Sequence, residues 1–288
     1  MNLKSVFVFA VCLSSATAFA ADAPLIQDLP GKKILELTGT IWKKKDLDQT
    51  CTKLNRGFPC AQPKFGDFRA THELRGEFVY GKSEYADQNG LEVVEESWTK
   101  SGHLEKAIFT NKELGTVVTV TTTKDHVHIH TLYTADGSVK DADEDRDTNN
   151  VVVPGTVVGY FRARLDQLNA GKELPIRMVV PDRRETVGFD LRKMGVEKSA
   201  SGDELTVIRM KPGSIIIAAI VDPLYFYLNV KKDYLEGFDG RSALRLKDGT
   251  NWKDMDTLVV YTPVLVAPEE MTAATCTAES GNKCEATK

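Results

Sequence analysis

The segment 91–137, LEVVEESWTKSGHLEKAIFTNKELGTVVTVTTTKDHVHIHTLYTADG, constrains the fold more than any other part of the chain. Valine, isoleucine, threonine and aromatic residues dominate it, and polar turn residues interrupt it at Lys100-Ser101-Gly102, 111–115 and Thr123-Lys124-Asp125. Such runs fit a pleated, half-buried surface. The links are too short for parallel crossovers, so the spacing predicts four consecutive antiparallel strands. The rest of the chain extends this reading. Strands are expected at 34–46, 73–80, LPIRMVV, TVGFDLRKMG, ELTVIRM, 224–230, EGFDGRSAL and DTLVVYTPVLV. Segment 47–67 reads as irregular, and VKDADEDRDTNN reads as an acidic loop. KPGSIIIAAIVDP fits either a short helix capped by Ser214 or a buried strand.

One segment changes period. Val157, Tyr160, Phe161, Arg164, Leu165 and Leu168 recur at three and four residues, and Gly171 follows as a C-cap. This predicts a helix over 156–169, long enough to cover one face of a sheet. The expected fold is mainly β: a curved antiparallel sheet or half-open barrel covered by one or two short helices.

The N-terminus MNLKSVFVFAVCLSSATAFA has a basic start, a short apolar run and the small-x-small site Ala18-Phe19-Ala20. It reads as a secretory signal peptide over 1–20, with Cys12 inside the apolar run rather than at a lipidation site. A β-rich domain follows over 21–268, either single or split into sub-lobes meeting near 135–155, with a cysteine-bearing tail over 269–288. No other run is long and apolar enough to span a bilayer as a helix, so no transmembrane segment is expected in the mature chain. The absence of an N-x-S/T sequon favours a bacterial periplasm over a secreted destination. Of the five cysteines, four follow residues 1–20, and an even count in the mature part of an exported chain reads as disulfides. Four cysteines allow about three pairings. Short loops favour Cys51 with Cys60 and Cys276 with Cys284. The formal net charge of −4 argues against a nucleic-acid groove.

In KDHVHIH, strand alternation puts His126, His128 and His130 on one face, with neighbours roughly 6.6 Å apart. His126 and His128 are the candidate metal ligands, provided that another strand supplies a third group such as His103, His72 or Glu96. The competing expectation is an ordinary polar sheet face. DADEDRD offers alternating aspartates, but Arg146 and Val152 stand where an EF-hand needs glycine and glutamate. No G-x-S-x-G, H-E-x-x-H, P-loop or dinucleotide fingerprint occurs, so no catalytic residue and no cofactor are expected. Glu95 and Glu96 point to opposite faces of a strand, which is wrong for shared acid–base work.

Large apolar groups recur on both faces of several expected strands, and such strands need cover on both sides. A bound apolar ligand is one form of cover. Trp42, Trp98, Phe161, Tyr225 and Tyr227 are the candidate ligand wall, and Arg164 is the candidate head-group contact, with Arg162 and Arg241 as further rim arginines.

VPGTVVGYFRARLDQLNAGKELPIRMVV and VDPLYFYLNVKKDYLEGFDGR resemble segments of the exported bacterial DUF3108 family. The signal peptide, strand-rich body and covering helix also look like periplasmic lipoprotein-carrier and lipid-binding proteins with a half-open β-barrel. That resemblance implies a curved antiparallel sheet around an acyl-chain cavity, and the role expected of this chain is non-enzymatic. MKPGSIIIAAIVDP and the two cysteine segments depart from the pattern. The leading expectation is a periplasmic protein binding a lipid or other hydrophobic ligand. The alternatives are a structural or protein-interaction module of the cell envelope, and a metal-dependent enzyme using the histidine strand.

Overall fold

A computed structural model describes residues 31–47, 63–219 and 221–264. The expected signal peptide over 1–20, Cys12, the four cysteines of the expected disulfides and the 269–288 tail lie outside the described residues.

The chain forms β1 (Lys32–Lys43), β2 (Gly66–Arg75), β3 (Phe78–Asp87), β4 (Gly90–Lys100), β5 (His103–Asn111), β6 (Thr116–Thr122), β7 (His126–Tyr133), β8 (Val139–Asp145) and β9 (Val151–Val152). Helices α1 (Pro154–Arg162) and α2 (Leu165–Asn169) follow. Then come β10 (Leu174–Val180), β11 (Glu185–Lys198), β12 (Glu204–Pro212), the single turn α3 (Ile215–Ala218), β13 (Leu224–Asn229), β14 (Tyr234–Asp248) and β15 (Asn251–Pro263). All fifteen strands lie in one open sheet, ordered from β8 down to β1, then from β15 down to β9. Neighbours are antiparallel except β9 and β10. The class expected from the pattern therefore holds: mainly β, with short helices.

Open sheets rarely exceed about ten strands without curling. Here register shifts interrupt the β3–β4, β4–β5, β11–β12, β13–β14 and β14–β15 ladders. Each bulge sharpens the local twist. The two arms of the sheet thus turn to face each other. Glu144 on β8 accepts bonds from the Thr186 backbone N–H (2.6 Å) and hydroxyl (2.7 Å) on β11. Glu113, between β5 and β6, accepts from the Arg245 N–H on β14 at 3.2 Å. Valines of β9 and β10 pack against Phe109, Val120 and Ile129 of β5, β6 and β7. The loop joining β8 to β9 links the two edges of the sheet, and it falls within the 135–155 interval.

Three expectations need correction. The segment 73–80 is not one strand: Gly76, with φ of 58°, turns the chain between β2 and β3. Only glycine takes that conformation without steric cost. The 156–169 helix breaks into α1 and α2, because Arg164 leaves helical geometry with φ of −123°. The acidic segment is not a loop: 139–145 is edge strand β8, held by β7. The ambiguous KPGSIIIAAIVDP run resolves as one helical turn. No helix among the described residues is long and apolar enough to cross a membrane.

Candidate functional site

Alternation along the strands gives the sheet an inner and an outer face. The inner face carries Leu37, Phe68, Ala70, Val93, Phe226 and Val259, which join α1 and α2 in the main core. Helix α1 lies on this face. Pro154 at the first turn fixes φ without sacrificing a needed donor. The Thr156 hydroxyl accepts from the Val153 N–H at 3.0 Å and closes the helix start. Val157, Tyr160 and Phe161 are buried, with Phe161 edge-on to Phe226 at 5.5 Å.

Between the two arms of the sheet and α1 lies a cavity of about 750 Å³. Both arms line it, with Tyr85 and Phe109 from one and Met178 and Phe238 from the other, while Phe68 and Tyr261 meet edge-on at 5.0 Å where the arms join. That volume falls within the roughly 300–1,000 Å³ of small-molecule sites. The lining reaches Ile34, which is 45% exposed.

One wall of the cavity is polar. Strand pairing sets Ala70 opposite Ser83 and Ser83 opposite Glu95, and sets His72 opposite Gly81 and Gly81 opposite Ser97. His72, Ser83, Glu95 and Ser97 all line the cavity. Glu95 is 3% exposed and accepts from the Gly155 N–H at 2.7 Å. Burial pushes its carboxyl up to about 7, against the smaller downward pull of the Gly155 bond. His72 also bonds the Gly155 backbone, while its Nδ1 is buried without a partner among the described residues. Burial holds its imidazole below the usual histidine range. Gly155 thus pins the start of α1 across β2 and β4. A side chain there would meet Glu95 Oε1 at 2.7 Å and would have to push the carboxylate aside.

The residues expected to form the ligand wall lie elsewhere. Trp42 packs on the outer face with Leu47 and Val260. Trp98 is buried on the outer face beside Tyr80 (5.2 Å) and beneath Lys106 (5.5 Å). Tyr225 and Tyr227 join Leu205 and Val207 in a third outer cluster. Phe161 belongs to the core, and Arg164 stacks on Tyr160 at 3.8 Å while donating to its carbonyl. None of these six lines the cavity. Arg162 and Arg241 do line it, but each is paired: Arg162 with Asp233, and Arg241 with Asp254 and Asp256.

The histidine strand forms a second cluster, on the opposite face of the sheet from the core. On β7, Val127, Ile129 and Thr131 are buried, whereas His126, His128 and His130 are partly exposed. Directly opposite them stand Asp145, Asp143 and Asp141 of β8. His126 bonds Asp145 through Nδ1 and Asp143 through Nε2, both at 2.9 Å. His128 Nδ1 meets Asp143 at 2.8 Å, and His130 Nδ1 meets Asp141 at 2.7 Å. The bonds to Asp145 and Asp143 raise the His126 imidazole above its ordinary range. The bonds from His128 and His126 hold the Asp143 carboxyl below its own. None of the suggested partners His103, His72 and Glu96 is in this cluster: His103 pairs opposite Lys100, His72 lines the cavity, and Glu96 accepts from the Tyr80 hydroxyl at 2.6 Å.

Sequence reasoning named His72 only as a possible metal partner and Glu95 only beside Glu96, and missed the cavity wall that they share. In 93–98 both strand phases mix polar and apolar residues, so periodicity does not say which phase faces inward.

No family model matches the chain, so the DUF3108 resemblance gains no support from one. No curated protein matches either. A solved structure, the crystal structure of a β-barrel-like protein of domain of unknown function DUF1849 from Brucella abortus, is similar with a TM-score of 0.34 and 9% identity, over 82% of this chain and 98% of that one.

Proposed function

We propose that the protein is an exported, non-enzymatic binder of a lipid or other hydrophobic ligand, held in the cavity between the curled sheet and α1. The observation that carries this reading is the cavity itself: about 750 Å³, walled by aromatic and aliphatic side chains from both arms. Removing apolar ligand surface from water supplies the affinity, at roughly 25 cal/mol per Å² before the costs of binding. The likeness to periplasmic lipoprotein carriers belongs to this reading, as does a periplasmic location.

The polar wall narrows the chemistry. The rim arginines are neutralised by aspartates, and the inner carboxylate Glu95 has no opposing cation among the described residues. An anionic head group deep in the cavity would face Glu95 without compensation. A hydroxyl or amine would instead donate to Glu95, and a hydroxyl also suits the unpartnered Nδ1 of His72.

Ala70 is buried and lines the cavity, so Ala70→Phe fills space that the ligand would occupy. A fluorescent fatty alcohol titrated into the wild-type chain should bind saturably. The Ala70→Phe variant should fold, by far-UV circular dichroism, and bind little of it. Failure of the wild type to take up the probe, or equal uptake by the variant, would count against the cavity as the binding site.

A further inference from the structure

The β7–β8 cluster takes no part in the cavity, and its geometry has its own chemistry. We propose that His128, His130 and Asp141 form a surface site for a borderline divalent transition-metal ion, with Zn²⁺ as the reference ion. One ligand atom from each of the three lies within 4.8 Å of the others. His128 and His130 are alternate residues of one strand, and Asp141 stands opposite His130 and diagonal to His128. Two separate sequence features, the alternating histidines and the alternating aspartates, therefore meet on one face.

The hydrogen bonds favour a cation at this point. A carboxylate accepts and does not donate, so the 2.8 Å contact of His128 with Asp143 places the proton on Nδ1. In the neutral ring Nε2 then carries the lone pair. It faces Asp141 Oδ1 at 3.8 Å, too far for a hydrogen bond. An ion here would draw on that lone pair and on the Asp141 oxygen that His130 Nδ1 contacts at 2.7 Å, taking the place of this hydrogen bond. Asp143 acts as a positioning residue, fixing the ring and its tautomer as carboxylate partners of metal-bound histidines do. His126 Nε2 meets the same Asp143 oxygen at 2.9 Å.

The donor set selects the ion class. Two imidazole nitrogens and one carboxylate suit zinc, which takes nitrogen and oxygen ligands tetrahedrally and accepts water at a fourth position. The side chains of His128, His130 and Asp141 are 40%, 43% and 50% exposed, which leaves that position to solvent. Calcium and magnesium prefer all-oxygen shells and fit poorly. Copper(II) should bind more tightly than zinc at the same ligands.

The test is a zinc titration of the untagged, oxidised full chain against a chromophoric competing chelator. The wild type should bind one Zn²⁺. The paired change His128→Ala with His130→Ala should abolish binding. Asp143→Asn should keep the stoichiometry and weaken affinity by about 10- to 100-fold, as loss of an outer-shell partner does. Wild type loaded with Co²⁺ should show visible d–d bands that the double variant lacks. If the double variant misfolds, Asp141→Asn decides the matter, and it should lose the bands. Absence of bound zinc in the wild type, or undiminished binding in the folded double variant or in Asp141→Asn, would overturn the assignment.

Discussion

Raising the pH from about 5 to about 8 is expected to cost the protein on the order of 3 kcal/mol of folding stability through Glu95 alone. The carboxyl sits in the folded chain with a value near 7, against 4.5 when unperturbed. Burial penalises the charged form, and the single bond from Gly155 offsets this incompletely. Below pH 4.5 both folded and unfolded chains are protonated there, so the group contributes no penalty. Between 4.5 and about 7 the folded chain binds more protons than the unfolded one, so stability falls as pH rises. Above that window the loss is complete and constant. At about 1.4 kcal/mol per pH unit, the interval gives the stated magnitude. Glu113 adds a dependence of the same sign, since burial also pushes its carboxyl up to about 7, but a smaller one because the group is only half-buried and solvent screens it. The difference between wild type and Glu95→Gln therefore isolates Glu95. Glutamine keeps an acceptor for Gly155 and carries no charge. Urea unfolding across this range should show wild type and variant converging at the acid end. At pH 8 the variant should be the more stable. Parallel curves would mean that Glu95 is not desolvated as described.

The second large effect concerns the seat of α1. Phe161→Ala is expected to destabilise the fold by about 3–5 kcal/mol, the range for emptying a buried aromatic site. Phe161 is fully buried and meets Phe226 at 5.5 Å, where β13 cannot collapse inward without breaking its ladders to β12 and β14. Tyr225→Ala, on the outer face of the same strand, should cost less because that ring is only partly buried. Chemical denaturation of the two variants separates these cases. A small loss at Phe161 would mean that α1 is not anchored by this contact.

The strand-rich class was legible because valine, isoleucine, threonine and aromatic residues dominate 91–137 and its turns fall at polar residues. β4, β5, β6 and β7 lie within one or two residues of the pattern. The position of the cavity was not legible. Period-two alternation separates two faces, but it does not say which face the curl encloses. Trp42, Trp98, Tyr225 and Tyr227 therefore looked like a ligand wall, whereas the outer face buries Trp42, Trp98 and Tyr227 and partly covers Tyr225. Phe68, Tyr85 and Phe109, equally aromatic in the sequence, face the hollow. Strand β8 was hidden for a different reason. Aspartate is depleted in strands, so DADEDRD reads as a loop. Cross-strand pairing with His126, His128 and His130 offsets that preference, and pairing partners are invisible to local periodicity.

The central claim is that the hollow between the curled sheet and α1 holds a hydrophobic molecule. Native mass spectrometry of the full chain, purified without detergent, tests it most directly. A noncovalent adduct that organic solvent extracts and Ala70→Phe loses is the expected result. A bare polypeptide mass, together with no uptake when a long-chain alcohol is supplied, would contradict it.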